Sequence, residues 1–219
     1  MNRFHDHGLF ALALAFGALV STPARAVQIS ELLYDAIGTD NATVFVELYG
    51  EPGTSLEGWR VEGVNGADGA IGPIVTLAGQ IGSDGFFVLA DSDAGTTQVI
   101  NADQLANFDF QNGPDSVVLR DALGNLLDAL GYGVFGATDV FAGEGFAAPD
   151  GAAGQSLARL FANQDSNDNL ADFALLDVPT PGTGPVSVPE PVAAAPLALF
   201  VCALCVARVL RTRIPLAVR

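Results

Sequence analysis

Between positions 27 and 180 no window of ten or more residues carries a 3.6-residue apolar period, so this stretch has no amphipathic helix on which to build a fold. What recurs is short period-two alternation closed by turn residues. In residues 43–49, Val44, Val46 and Leu48 fall on one face, with Phe45, Glu47 and Tyr49 on the other. Residues 28–34, 58–64, 74–78, 85–90, 115–120, 126–132, 156–161 and 172–176 read similarly. Asn65-Gly66 and Asp84-Gly85 mark turns, because Asn, Asp and Gly tolerate positive φ, and residues 121–125 close a hairpin. About eight or nine strands at this spacing predict an all-β fold of two packed sheets. Trp59 and the many Phe would supply its bulk.

The two ends read as targeting devices. Arg3 precedes an apolar run from Gly8 to Val20, the length of a signal-peptide core and too short to span a bilayer comfortably. Ser21-Thr22-Pro23 breaks it, and Ala24-Arg25-Ala26 places small residues where a signal peptidase needs them, so cleavage is expected after Ala26. Near the other end, Val188-Pro189-Glu190-Pro191 leads into the apolar stretch 192–207, followed by Arg208, Arg211, Arg213 and Arg219. As a helix those sixteen residues rise about 24 Å, and a snorkelling Arg208 extends the span. The basic tail belongs on the cytoplasmic side, so the middle of the chain is expected to face outward. Expected boundaries are a signal peptide at 1–26, one β-domain at 27–180, a Pro/Gly linker at 181–190, and a membrane anchor with basic tail at 191–213.

The order of Val-Pro-Glu-Pro, short apolar helix and arginine cluster resembles the PEP-CTERM sorting signal. That resemblance implies that Pro189, Glu190 and Pro191 are read by a membrane protease-transpeptidase of the exosortase type. A second resemblance covers residues 27–182. Ile29-Ser30-Glu31-Leu32-Leu33-Tyr34, then Val46-Glu47-Leu48-Tyr49, then Leu56-Glu57-Gly58-Trp59 is similar to the opening of a bacterial lamin tail domain. The stretch 115–124, Gly143-Glu144-Gly145, Gln155-Ser156-Leu157-Ala158-Arg159, Asn169-Leu170-Ala171-Asp172-Phe173 and Thr180-Pro181-Gly182 resemble its later parts in order. The resemblance implies an immunoglobulin-like β-sandwich. Phe45, where the family pattern has an acidic residue, and the segment 94–111 depart from it.

Charge and missing residue types narrow the chemistry. Residues 27–188 hold 23 Asp or Glu against three Arg, a net charge of −20. Such a surface repels phosphate backbones, so nucleic acid is not an expected partner. The same region has no Lys, His or Cys; His5 and His7 lie in the signal segment, Cys202 and Cys205 in the anchor. That excludes a disulfide framework, Ser-His-Asp and Cys-His sites, a His- or Cys-ligated zinc, a P-loop and a Schiff-base lysine.

The remaining candidates use carboxylates and aromatics. Asp165, Asn167 and Asn169 place oxygen donors at alternating positions, as at the start of a calcium loop. Leu170 stands where that loop needs Gly and Leu176 where it needs a bidentate Glu, so an Asx-rich turn capping a strand is the simpler reading. Asp91-Ser92-Asp93 is a weaker version of the same pattern. Glu31 and Glu47 would serve glycoside hydrolysis only if they faced each other across about 5–9 Å; polar positions of a sandwich explain them more simply. Arg159 is expected to pair with an acid or with carbonyls, and Trp59 to sit in the core instead of stacking on a sugar with Tyr49. The Gly-rich stretch 142–154 lacks the strand–loop–helix context of a phosphate cradle. Together these features predict a non-enzymatic exported surface module, without a cofactor unless calcium binds, with a structural or binding role in the envelope or extracellular matrix. Its expected partners are the membrane, signal peptidase, an exosortase-type enzyme and exopolysaccharide. A calcium- or polysaccharide-binding module is the alternative, followed by a hydrolase accessory domain.

Overall fold

The computed structural model describes residues 26–184. Within them the strands are β1 (Gln28–Leu33), β2 (Phe45–Tyr49), β3 (Arg60–Asn65), β4 (Ile71–Thr76), β5 (Phe86–Asp91), β6 (Gln104–Ala106), β7 (Asp115–Arg120), β8 (Leu126–Tyr132), β9 (Ser156–Arg159) and β10 (Phe173–Leu176). A single helical turn, α1 (Asn169–Asp172), precedes β10. Among the described residues no helix is long and apolar enough to cross a membrane. The expected signal segment and anchor helix, with Pro189, Glu190 and Pro191, lie outside the described residues.

The strands form two sheets, ordered β10-β9-β1-β2-β5-β6 and β4-β3-β7-β8. Every pairing is antiparallel except β5 with β6. Over the described residues the fold is thus all-β, as the period-two pattern predicts. One apolar core joins the sheets: Ile29, Val46, Leu48 and Val88 from the larger, Val61, Val117, Leu119 and Leu130 from the smaller, all fully buried. Tyr34, just after β1, stacks on Tyr132 of β8 with ring centroids 4.3 Å apart, tying the sheets at one end. The hairpin between β7 and β8 closes as the sequence implies: Asp121 Oδ1 accepts the Leu123 and Asn125 amides, and Gly124 turns with a φ of 86°.

Four local expectations change. β4 runs over Ile71–Thr76 instead of 74–78, because it pairs along β3 as an edge strand that tolerates Pro73 and leaves Ile71 and Ile74 exposed. β6 lies inside the segment 94–111, where no alternation announces it. Trp59 is half-buried at the margin of the core. The linker expectation fails at its start. Thr180, Pro181 and Gly182 pack on the domain: Thr180 and Gly182 donate to Glu31 and Glu47, and Asn101 Nδ2 donates to the Pro181 carbonyl at 2.9 Å.

Candidate functional site

The densest ionic cluster forms where β9 ends. β9 pairs with β1 only at Glu31 and Leu32, so the backbone of Ile29 lies beyond that ladder. Two side chains complete it. Arg159 Nε donates to the Ile29 carbonyl at 2.7 Å, and the Ile29 amide donates to Asp128 Oδ2 at 2.5 Å. Asp128 belongs to β8 in the opposite sheet, and the Arg159 guanidinium meets both its oxygens at 3.0 Å. The same guanidinium reaches Asp172 Oδ2 at 3.0 Å and Asp165 Oδ1 at 3.3 Å, and lies 4.6 Å from the centre of the Phe173 ring. Ser166 fastens Asp172 through its amide and hydroxyl. The Arg159 and Asp128 side chains are 0% and 1% exposed, so this ion pair links the sheets out of water's reach.

Glu144 adds a fourth carboxylate. Its backbone is clamped by Asn169, whose Oδ1 accepts from Glu144 N at 2.9 Å and from Gly131 N at 2.8 Å. Oxygens of Asp128, Glu144 and Asp165 lie within 4.8 Å of one another. Burial, then the charges of Asp128 and Asp165, push the Glu144 carboxyl up to about 7. Its Oε2 is buried with no hydrogen-bond partner, although the Asp128 carboxylate is its neighbour. Two ionised carboxylates offer each other no donor, so that contact becomes a hydrogen bond only when one carries a proton. Asp128 is also pushed up: burial outweighs the opposing pull of Arg159 and of the Ile29 amide. Arg159 itself is lowered by burial but raised more by Asp128, Asp165 and Asp172, so it stays charged.

The expected calcium residues do not converge. Asp165 faces Arg159 and accepts the Asn167 amide. Asn167 is an exposed turn residue with a φ of 57°. The amide oxygen of Asn169 already takes two backbone N–H groups, and its Nδ2 donates to Ala129 O at 2.8 Å, so it braces the loops. Asp168 caps α1 through the Leu170 amide, which puts the Asx cap on a helical turn. The three clustered carboxylates are of the oxygen-donor type that suits a hard cation, but Arg159 already supplies positive charge to two of them. Asp128 and Glu144 escaped the sequence reading. One signal pointed to Asp128: it shares the inward face of β8 with Leu130 and Tyr132, and a carboxylate there requires a buried cation.

Glu31 and Glu47 do come face to face, as register partners in the β1–β2 pairing. Both are fully buried and occupied. Glu31 accepts the Ser156 hydroxyl at 2.6 Å, and the Thr180 amide and hydroxyl at 2.9 and 2.6 Å. Glu47 accepts the Ser30 hydroxyl at 2.6 Å and the Gly182 amide at 2.7 Å. Burial pushes Glu47 up to about 7, against the lowering effect of those two bonds. Thr180 and Gly182 cover both carboxyls, and neither reaches solvent. Ala26 is exposed ahead of β1. No protein-family model and no curated protein matches the chain.

Proposed function

We propose that this chain is an exported, non-enzymatic module of the cell envelope or extracellular matrix, an immunoglobulin-like sandwich of lamin-tail type held outside the inner membrane by its C-terminal helix. One observation carries the reading: among the described residues the cations and the most buried carboxylates are tied up in holding the fold. Arg60 and Arg120 both pair with Glu62, at 3.3 and 2.9 Å, and Arg159 is sealed among Asp128, Asp165 and Asp172. Glu31 and Glu47 are closed by hydroxyls and amides. What faces outward is a surface rich in carboxylates, suited to staying soluble and to binding, with no assembled nucleophile and base among the described residues.

The test is processing in a native-type host. The mature protein is expected to begin at Val27. Replacing Pro189, Glu190 and Pro191 with Ala should leave insertion intact, since the helix and Arg208, Arg211 and Arg213 set topology. It should also leave the protein at its longer mass in the inner membrane. Fractionation and mass spectrometry compare the two; a retained Met1 removes the export reading, and identical processing of both forms reduces the motif to a spacer.

A further inference from the structure

At the end of the smaller sheet lies an open groove that the fold itself does not use. Three connections build it: the turn 65–70 after β3, the segment 111–114 entering β7, and the loop 136–140 after β8. Its volume is about 430 Å³, within the range of about 300–1,000 Å³ typical of small-molecule sites. Asn65, Gln111, Asn112, Pro114, Asp115 and Asp139 line it.

The walls are set by the fold. Gly66 N donates to Asp115 Oδ1 at 2.6 Å, Val140 N to Gly66 O at 2.6 Å, and Tyr132 Oη to Gln111 O at 2.7 Å. Gly66 permits the close approach, because a Cβ there would lie 1.9 Å from the Pro114 carbonyl oxygen. Asp139 is fixed likewise, its Oδ2 accepting the Gly136 amide at 2.6 Å. A groove held this way loses little freedom on binding.

The polar groups left over define the ligand. Asp115 and Asp139 each give one oxygen to a wall amide, and among the described residues no second side-chain hydrogen bond reaches either carboxylate. The exposed carboxamides of Gln111 and Asn112 likewise make none. Asn65 uses its Oδ1 for the Ala67 amide at 2.7 Å and keeps its NH₂. Free carboxylate oxygens accept hydroxyl protons, and carboxamides both donate and accept, which is the set that a polyhydroxylated ring satisfies. Among the described residues no cation lines the groove, and the net charge of −20 over residues 27–188 repels anionic polymers. We propose that this groove binds a neutral hexose unit of a polysaccharide.

The proposal deepens the envelope reading and rests on it for the setting in which such a polymer is met. Its test does not. The full chain, purified in lauryldimethylamine oxide to avoid a sugar headgroup, is titrated calorimetrically with cellohexaose, maltohexaose and chitohexaose, and with a hyaluronan hexasaccharide as the anionic probe. Saturable binding of at least one neutral hexamer and none of hyaluronan is expected. The double variant Gln111→Ala/Asn112→Ala and the single variant Asp139→Ala should each weaken it about tenfold, the loss of one or two hydrogen bonds. Glu57→Gln, ahead of the opposite end of β3, should leave it unchanged, with circular dichroism confirming that all variants fold. The proposal is overturned if no neutral hexamer saturates, if hyaluronan binds as well, or if the double variant binds like the parent. A chain that binds in this assay but is never exported would keep the groove and remove the envelope reading.

Discussion

Arg159 ties together both sheets and the turn before β10. Its guanidinium touches Asp128 of one sheet, the Ile29 carbonyl of the other, the loop before α1 through Asp165, and α1 itself through Asp172. Replacing it with Met keeps the packing volume but strands buried carboxylates, so Arg159→Met is expected to cost about 3–5 kcal/mol in urea unfolding. Adding Asp128→Asn should recover part of that loss, and strict additivity would show the pair to be uncoupled. Glu47 offers a pH test. Its carboxyl titrates near 7 in the fold against 4.5 in the unfolded chain, so the folded state binds the proton more tightly. Its neutral form is fully favoured below about 4.5, and stability falls as pH rises from there through about 7. The shift corresponds to an upper limit of roughly 3 kcal/mol. In Glu47→Gln the amide donates to Ser30 and its oxygen accepts from Gly182. That variant should show a smaller stability difference between pH 5 and pH 8 than the parent does. An unchanged difference would remove Glu47 as its source.

At the scale of elements, the segment after β10 closes over the larger sheet. Thr180 and Gly182 supply three hydrogen bonds to two fully buried glutamates. A chain ending at Gly184 is therefore expected to fold as a β-rich monomer. One ending at Val178 leaves Glu31 and Glu47 short of donors, and should lose about 2–4 kcal/mol relative to the longer form. Equal urea midpoints for the two would mean that the segment merely lies on the surface. The strands themselves were mostly legible. β7 and β8 match the alternation residue for residue, because each is flanked by turn chemistry and keeps apolar residues on the core face. β6 was not legible: it is three residues long, only partly covered, and takes its conformation from parallel pairing with β5. The linker was misread because Pro and Gly lack packing side chains, while their neighbours' backbone N–H groups and the Thr hydroxyl remain donors.

At the scale of the whole molecule, the sequence by itself determined the class of fold and the excluded chemistry. Period-two alternation and turn residues require sheets, and a region without Lys, His or Cys cannot assemble the nucleophiles those residues provide. Both are local properties, written in neighbouring residues or in composition. Tertiary structure decided everything that joins distant positions. Asp128 and Arg159 are 31 residues apart, Glu31 and Thr180 are 149 apart, and the groove draws on three connections that share no motif. In the reading of residues 165–169 as a calcium loop, spacing alone stood in for direction. The fold instead turns Asp165 toward a buried guanidinium, leaves Asn167 at an exposed turn, and occupies the Asn169 oxygen with two amides. Strand order sets those directions, and it depends on which faces bury one another's apolar surface and satisfy one another's buried polar groups, which no single segment specifies.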